Sequence, residues 1–231
     1  MTFDFLPVVD YLPDLMAGLR VTAWTSLIGS MLALMVGMGT AALDANAFFP
    51  VRLMVRSFVE VMRGIPFLVL LLCGFYLLPR IGVALSPWWT GVAALAVYYG
   101  AYVSEVVRGA IASVPDGQVE AAAAIGMPSL SVLARIVLPQ AMGAMLPPLA
   151  GLLIGLVKES ALLSVISVHE FAFAAREVVS DTYAPFEVYA FVGLCYWVVN
   201  GALELLFRLL ERRAVWYRQG KASVARHGVR A

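Results

Sequence analysis

Residues 21–43 read VTAWTSLIGSMLALMVGMGTAAL, a run with no charged side chain and with Trp24 near one end. The roughly 30 Å hydrocarbon core of a bilayer requires a helix of about 20 apolar residues, because each backbone N–H and C=O must find its partner inside the segment. An indole close to the end of such a run suits the membrane interface. This stretch therefore predicts a membrane-spanning helix, and the composition of the whole chain agrees. Of 231 residues, 62% are hydrophobic and 13% charged, against about 25% charged in a soluble domain. Mean hydropathy is +0.88. The expected class is an all-α membrane protein.

Outward from this run, four more spans are expected. Residues 57–78 are fully apolar only after Gly64 and carry Glu60 and Arg63 in their first turns, three apart and so on one helix face. The third span is placed at 87–108, opening on Pro87 with Trp88 and Trp89 as interfacial anchors. The fourth is expected at 148–168, because Pro147 and Pro148 belong at a helix start. That placement brings Lys158 and Glu159 near mid-membrane, where charges are expensive and by default functional. The charge-free run 136–157 is the alternative and leaves the pair at the surface. Residues 187–210 form the fifth span, and Gly151 with Gly155 has small-xxx-small spacing. All 231 residues are read as one transmembrane domain.

The sixteen Lys and Arg residues set the expected orientation. Seven lie from Arg208 onward, Arg52, Arg56 and Arg63 lie in the segment 44–63, and Arg108 and Arg135 in the segment 105–136. These twelve are expected in the cytoplasm, so the N-terminus faces outward and the C-terminus inward. Fifteen acidic residues nearly balance them, which leaves no basic field for nucleic acid. The basic tail suits contact with membrane lipid. Asp4, Asp10 and Asp14 precede Arg20, the reverse of a signal-peptide n-region, so no cleavable signal is expected. Cys73 and Cys195 lie in apolar stretches, and His169 and His227 show no ligand spacing, so neither a disulfide framework nor a metal site is expected.

Between spans three and four, residues 109–140 are too polar to cross a membrane yet rich in helix formers. Pro115-Asp116-Gly117 is a turn signature. Gln118 to Ile125 predicts a helix that Gly126 ends in a left-handed cap, and Ser129 or Ser131 is expected to cap a helix running to Leu138. A hairpin too small for its own core should dock on a partner protein.

Glu120-Ala121-Ala122, three residues, Gly126, nine residues and Ile136-x-Leu138-Pro139 resemble the EAA loop of ABC importer permeases. The resemblance extends over most of the chain to permeases of the polar amino acid, histidine/glutamine type. It is carried by Arg63-Gly64-Ile65-Pro66, Ala101 through Gly109, Val114 through Gln118, Leu138 through Ala141 and Lys158 through Ile166. It implies a type I importer fold of about five transmembrane helices in the bacterial cytoplasmic membrane. It also implies a second permease copy or a related permease, ABC ATPase subunits and an extracytoplasmic substrate-binding protein. Gln118, Glu120, Ala121, Ala122 and Gly126 would couple to the ATPase, which would bind the ATP and Mg, with no cofactor in this chain. Gly151 and Glu159-Ser160-Ala161 stand where many relatives carry Asn and Asp-Thr-Ser.

Two further sets of residues are candidates. Lys158, Glu159, Ser160 and Ser164 either line a path for a zwitterionic substrate, which offers a partner for each charge, or include a structural ion pair at the outer interface. Glu60-Val61-Met62-Arg63-Gly64 and Glu105-Val106-Val107-Arg108-Gly109 repeat one pattern. Glu60, Arg63, Glu105 and Arg108 are expected to brace the bundle or form an inner gate. The only Gly-Lys, at 220–221, is followed by Ala222, so the chain has no phosphate-binding loop and is not itself an ATPase. The alternative function is an autonomous ion-coupled carrier or channel using Lys158 and Glu159. Such carriers commonly show internal repeats longer than this five-residue echo.

Overall fold

The computed structural model of the chain describes residues 5–227, and the side chains of Asn46 and of residues 213–227 fall outside that description. Most of the basic tail and His227 therefore lie outside the described side chains. The described residues form ten α-helices joined by short turns. These are α1 (Leu6–Asp10), α2 (Leu12–Asn46), α3 (Phe49–Gly64), α4 (Phe67–Leu77), α5 (Pro87–Ala112), α6 (Asp116–Ala124), α7 (Ser129–Val132), α8 (Leu138–Glu159), α9 (Phe171–Thr182) and α10 (Pro185–His227). Local chemistry sets several of the boundaries. Ser86 accepts the Trp89 N–H at 3.3 Å ahead of Pro87, whose missing N–H is no loss at a helix start.

Four stretches are long and apolar enough to cross a bilayer: Leu12–Ala45, Pro87–Ala112, Ser129–Ile166 and Pro185–Arg212. The pair Phe49–Gly64 and Phe67–Ile81, bent by 108°, makes a fifth if taken as one span. The expected second span, 57–78, is thus not continuous. Pro66 lacks an N–H and disfavours helical geometry at Ile65, which is extended with φ −100° and ψ 138°. Glu60 and Arg63 consequently end a separate helix, α3, which buries Val59 and exposes Phe49, Leu53 and Met54.

The fourth span also differs from its expected start at Pro148. Pro147 and Pro148 lie inside α8. A transmembrane helix tolerates such a site because neighbouring groups satisfy the freed carbonyls. The preceding helix does not stop at Leu138 but runs from α7 through a π-helical turn, Leu133–Val137, into α8. Its start at Pro128 uses no side-chain cap from Ser129 or Ser131.

Helices α2 and α5 form the central seam. A Cβ on Gly100 would lie 2.6 Å from Val36 Cγ1, and one on Gly37 would lie 2.7 Å from the Gly100 carbonyl oxygen. Small residues are what permit such approach where apolar lipid offers no competing hydrophobic drive. Of the anticipated Gly151 and Gly155 pair, only Gly155 meets a neighbour, the Tyr99 hydroxyl at 3.0 Å. Three apolar clusters hang on the seam. One gathers Val103, Val107, Ala122, Val137 and Ala141. Another gathers Ala33, Leu71, Leu95, Leu156 and Leu163, and the third Leu15, Phe171, Val178 and Val188.

Gly100→Leu should destabilise the protein by about 1–3 kcal/mol through overpacking. Gly39→Ala, with nothing within 4 Å of its Cβ, should be neutral or gain up to about 1 kcal/mol of helix propensity. Thermal unfolding of the purified protein in detergent separates the two, and equal shifts would contradict the packing described.

Candidate functional site

Helix α6 stands out from the bundle between α5 and α7. Asp116 in its first turn complements the helix dipole. At its other end Gly126 is left-handed with φ +78°, while the Gly126 and Met127 amides donate to Ala123 and Ala122 carbonyls at 2.9 and 3.1 Å. A residue with a Cβ is strained in that conformation, which accounts for the glycine. Ala122 is 3% exposed and packs with Val107, Ala110, Val114 and Val132. Gln118, Glu120 and Ala121 face outward. Beside them, Ile125 and Leu130 are 78% and 77% exposed, so one edge of the hairpin offers both polar and apolar surface.

Below the seam, at the end of α5 nearest α6, lies a cavity of about 220 Å³ lined by Asp44, Arg56, Glu60, Arg63, Glu105 and Arg108 among others. The Glu105 carboxylate accepts two bonds from Arg108, at 2.7 and 3.0 Å, and pairs with Arg63 at 3.3 Å. Arg56 pairs with Asp44 at 2.7 Å. The two Glu-Val-x-Arg-Gly repeats therefore do not each close on themselves. Arg63 crosses from α3 to Glu105 on α5, and Glu60 has no ion pair among the described residues.

From Arg63 a file of aromatic rings climbs α5. The guanidinium lies over the Tyr102 ring, 5.6 Å from its centroid, within reach of a cation–π attraction. Tyr102 donates its hydroxyl to the Arg63 carbonyl at 3.3 Å. The Tyr98 and Tyr102 hydroxyls are 3.4 Å apart, and the Tyr98 ring lies 5.5 Å from that of Tyr99. The Tyr99 hydroxyl meets the carboxylate of Glu159. Tyr99 is 12 residues from Pro87 and 13 from Ala112, the ends of α5. Glu159 is therefore level with the middle of α5.

The four expected pathway residues do not share one face, since neighbouring helical positions point about 100° apart. Lys158 is exposed and Glu159 half-buried. One Glu159 oxygen, Oε2, is buried without a hydrogen-bond partner. Ser160 and Ser164 are enclosed. Ser160 donates to the Val157 carbonyl at 2.8 Å and accepts from Ser26 on α2 at 3.4 Å. The Ser164 carbonyl takes a bond from Arg176 at 2.8 Å. Within this chain, then, the two serines are buried while Glu159 is the member of the set beside Tyr99.

Three features escaped the reading of the sequence. The Tyr98, Tyr99 and Tyr102 file was signalled by its i, i+4 spacing. The Asp44 and Arg56 pair joins helices that no periodicity connects. Glu170 is fully buried and caps α9 by accepting the Ala172 and Phe173 amides at 3.0 and 2.8 Å. It also accepts hydroxyls from Thr22 and Tyr196 at 3.2 and 3.3 Å. Its lone charge within the apolar run 161–175 was the available signal.

Residues 29–216 match the family model described as binding-protein-dependent transport system inner membrane component. The chain is 34% identical to the L-cystine transport system permease protein of Bacillus subtilis, over 88% of each chain. It is 33% identical to the probable glutamine ABC transporter permease protein of the same organism, over 86% of this chain and 92% of that one. Among solved structures it is similar to an amino acid ABC transporter crystallised with histidines. That match has 35% identity and a TM-score of 0.86, and it covers 92% of this chain and 100% of the other.

Because Glu105 holds two arginines and Glu60 none, their removal should differ. Glu105→Gln should cost about 1 kcal/mol and Glu60→Gln less than about 0.5 kcal/mol, the range of partly exposed ion pairs. Thermal unfolding at low and high salt checks this, with the Glu105 effect shrinking as salt rises.

Proposed function

The chain belongs to the family of binding-protein-dependent transport system inner membrane components, and from that premise we propose that it is the permease subunit of an ATP-driven importer for polar amino acids. The names of its relatives support the substrate class. The observation that carries the mechanism is the placement of α6. Ala122 is locked into the core of the bundle while Glu120 and Ala121 stand outward. A separate ATPase subunit grips this helix, binds ATP and Mg, and passes its motion to α5 and α8 through Ala122. A binding protein delivers substrate on the opposite side, where the N-terminus lies, and a second permease completes the pore. Family membership disfavours the autonomous carrier.

Within the pore, Glu159 faces the substrate, and Lys158, about 100° around the helix, balances its charge. The unpartnered Glu159 oxygen suits an ammonium group, because a buried carboxylate oxygen left unbonded is costly and a cationic donor relieves it. Arg63, Glu105 and Arg108 brace the cytoplasmic ends of α3 and α5.

Uptake of radiolabelled amino acids into vesicles carrying the permease, its ATPase and its binding protein tests the reading. Transport should require all three together with internal ATP, and gradient-driven uptake by the permease alone would overturn it. Glu120→Lys and Gly126→Pro should abolish copurification of the ATPase with membrane insertion intact. Glu159→Ala should reduce uptake or alter substrate preference, and unchanged uptake and preference would remove Glu159 from the pathway.

A further inference from the structure

Helices α2, α8 and α10 enclose an elongated groove of about 980 Å³. Leu27, Met31, Leu153, Val157, Leu203 and Phe207 furnish its apolar walls. The groove is separate from the Glu159 site, because α8 turns Leu153 and Val157 toward it while Glu159 faces Tyr99 on α5. It opens sideways, since Leu27 and Met31 are 51% and 59% exposed. Along α2 its lining runs from Met16 to Leu34, with Arg20 about one turn in from the Met16 end. From Arg20 to Leu34, 14 positions on, α2 rises about 21 Å at 1.5 Å per residue, enough for the acyl region of one leaflet, about half of a 30 Å core.

Arg20 is an unusual residue for such a rim. It is exposed, its Nε donates only to the Met16 carbonyl at 3.4 Å, and it has no ion pair among the described residues. Glu170, whose partner Thr22 also lines the groove, is already saturated by hydroxyl and amide donors. The remaining guanidinium donors at the mouth therefore face outward without an anion.

We propose that this groove binds one anionic phospholipid, its acyl portion along Leu27, Met31 and Leu203 and its phosphate on Arg20. Filling the groove replaces an empty apolar wall with dispersion contacts, and guanidinium suits phosphate by its fork of donors.

The test is native mass spectrometry of the purified complex, permease with its associated subunits, after incubation with phosphatidylglycerol or phosphatidylcholine. The wild type should retain one phosphatidylglycerol about fivefold more than phosphatidylcholine, the scale of one basic residue near an anionic headgroup. Arg20→Gln should abolish that preference while leaving residual binding of both lipids, and Ala23→Phe with Ser30→Phe should reduce both. Equal retention of the two lipids by the wild type, or an unchanged preference in Arg20→Gln, would overturn the proposal. So would disulfide cross-linking of Leu27→Cys between two permeases in the membrane, which would put a second copy over the groove.

Discussion

A helix that breaks inside an apolar medium frees backbone groups that no water can satisfy, and this molecule answers three such breaks with side chains. Where α3 gives way to α4, the carbonyl of Arg63 is taken by the Tyr102 hydroxyl. Where α8 ends and the chain turns toward α9, the carbonyl of Ser164 is taken by Arg176. Where α9 begins, its amides are taken by Glu170. An unbonded group at any of these points would cost several kcal/mol in a hydrocarbon surrounding. The donors and acceptors thus fix which breaks are possible, and the breaks give the bundle its shape.

That constraint changes the meaning of charge in this chain. A charged residue in an apolar run invites a functional reading, yet Glu170 and Arg176 are occupied by backbone and serve the fold. Glu159 differs because one of its oxygens remains buried and unbonded. Within the same helical turn, Ser160 and Ser164 point into the protein. Function and architecture here are separated by where side chains point, a distinction of about 100° per residue that composition and hydropathy do not record.

Periodicity and apolar length made the helical class readable, and turn chemistry located Gly126 and the helix before it. Both are local properties, written in a few adjacent residues. The bend at Ile65 and Pro66 was also locally encoded, but the hydropathy of residues 67–78 concealed it by making 57–78 look like one span. Pro147 and Pro148 misled in the opposite sense, since a proline's penalty depends on neighbours that can accept the freed carbonyls. The Arg63 to Glu105 pairing was out of reach for a related reason. A sequence shows that Glu60 and Arg63 share a face, whereas only the approach of α3 to α5 shows that Glu105 is better placed.

The coupling helix and the Glu159 region are joined by the same packed elements. Ala122 shares a cluster with Val103 and Val107 of α5 and with Ala141 and Met145 of α8. Those two helices carry Tyr99 and Glu159 toward one another, and a Cβ on Gly155 would lie 3.0 Å from the Tyr99 hydroxyl. Close-packed interiors shift as units because side chains interdigitate with few voids. On the proposed reading, a push on α6 would be taken up by α5 and α8 together. Arg63, at the end of α3, reaches α5 through Glu105 and Tyr102. The ion cluster is therefore a point at which α3 is tied to α5 across the proline break.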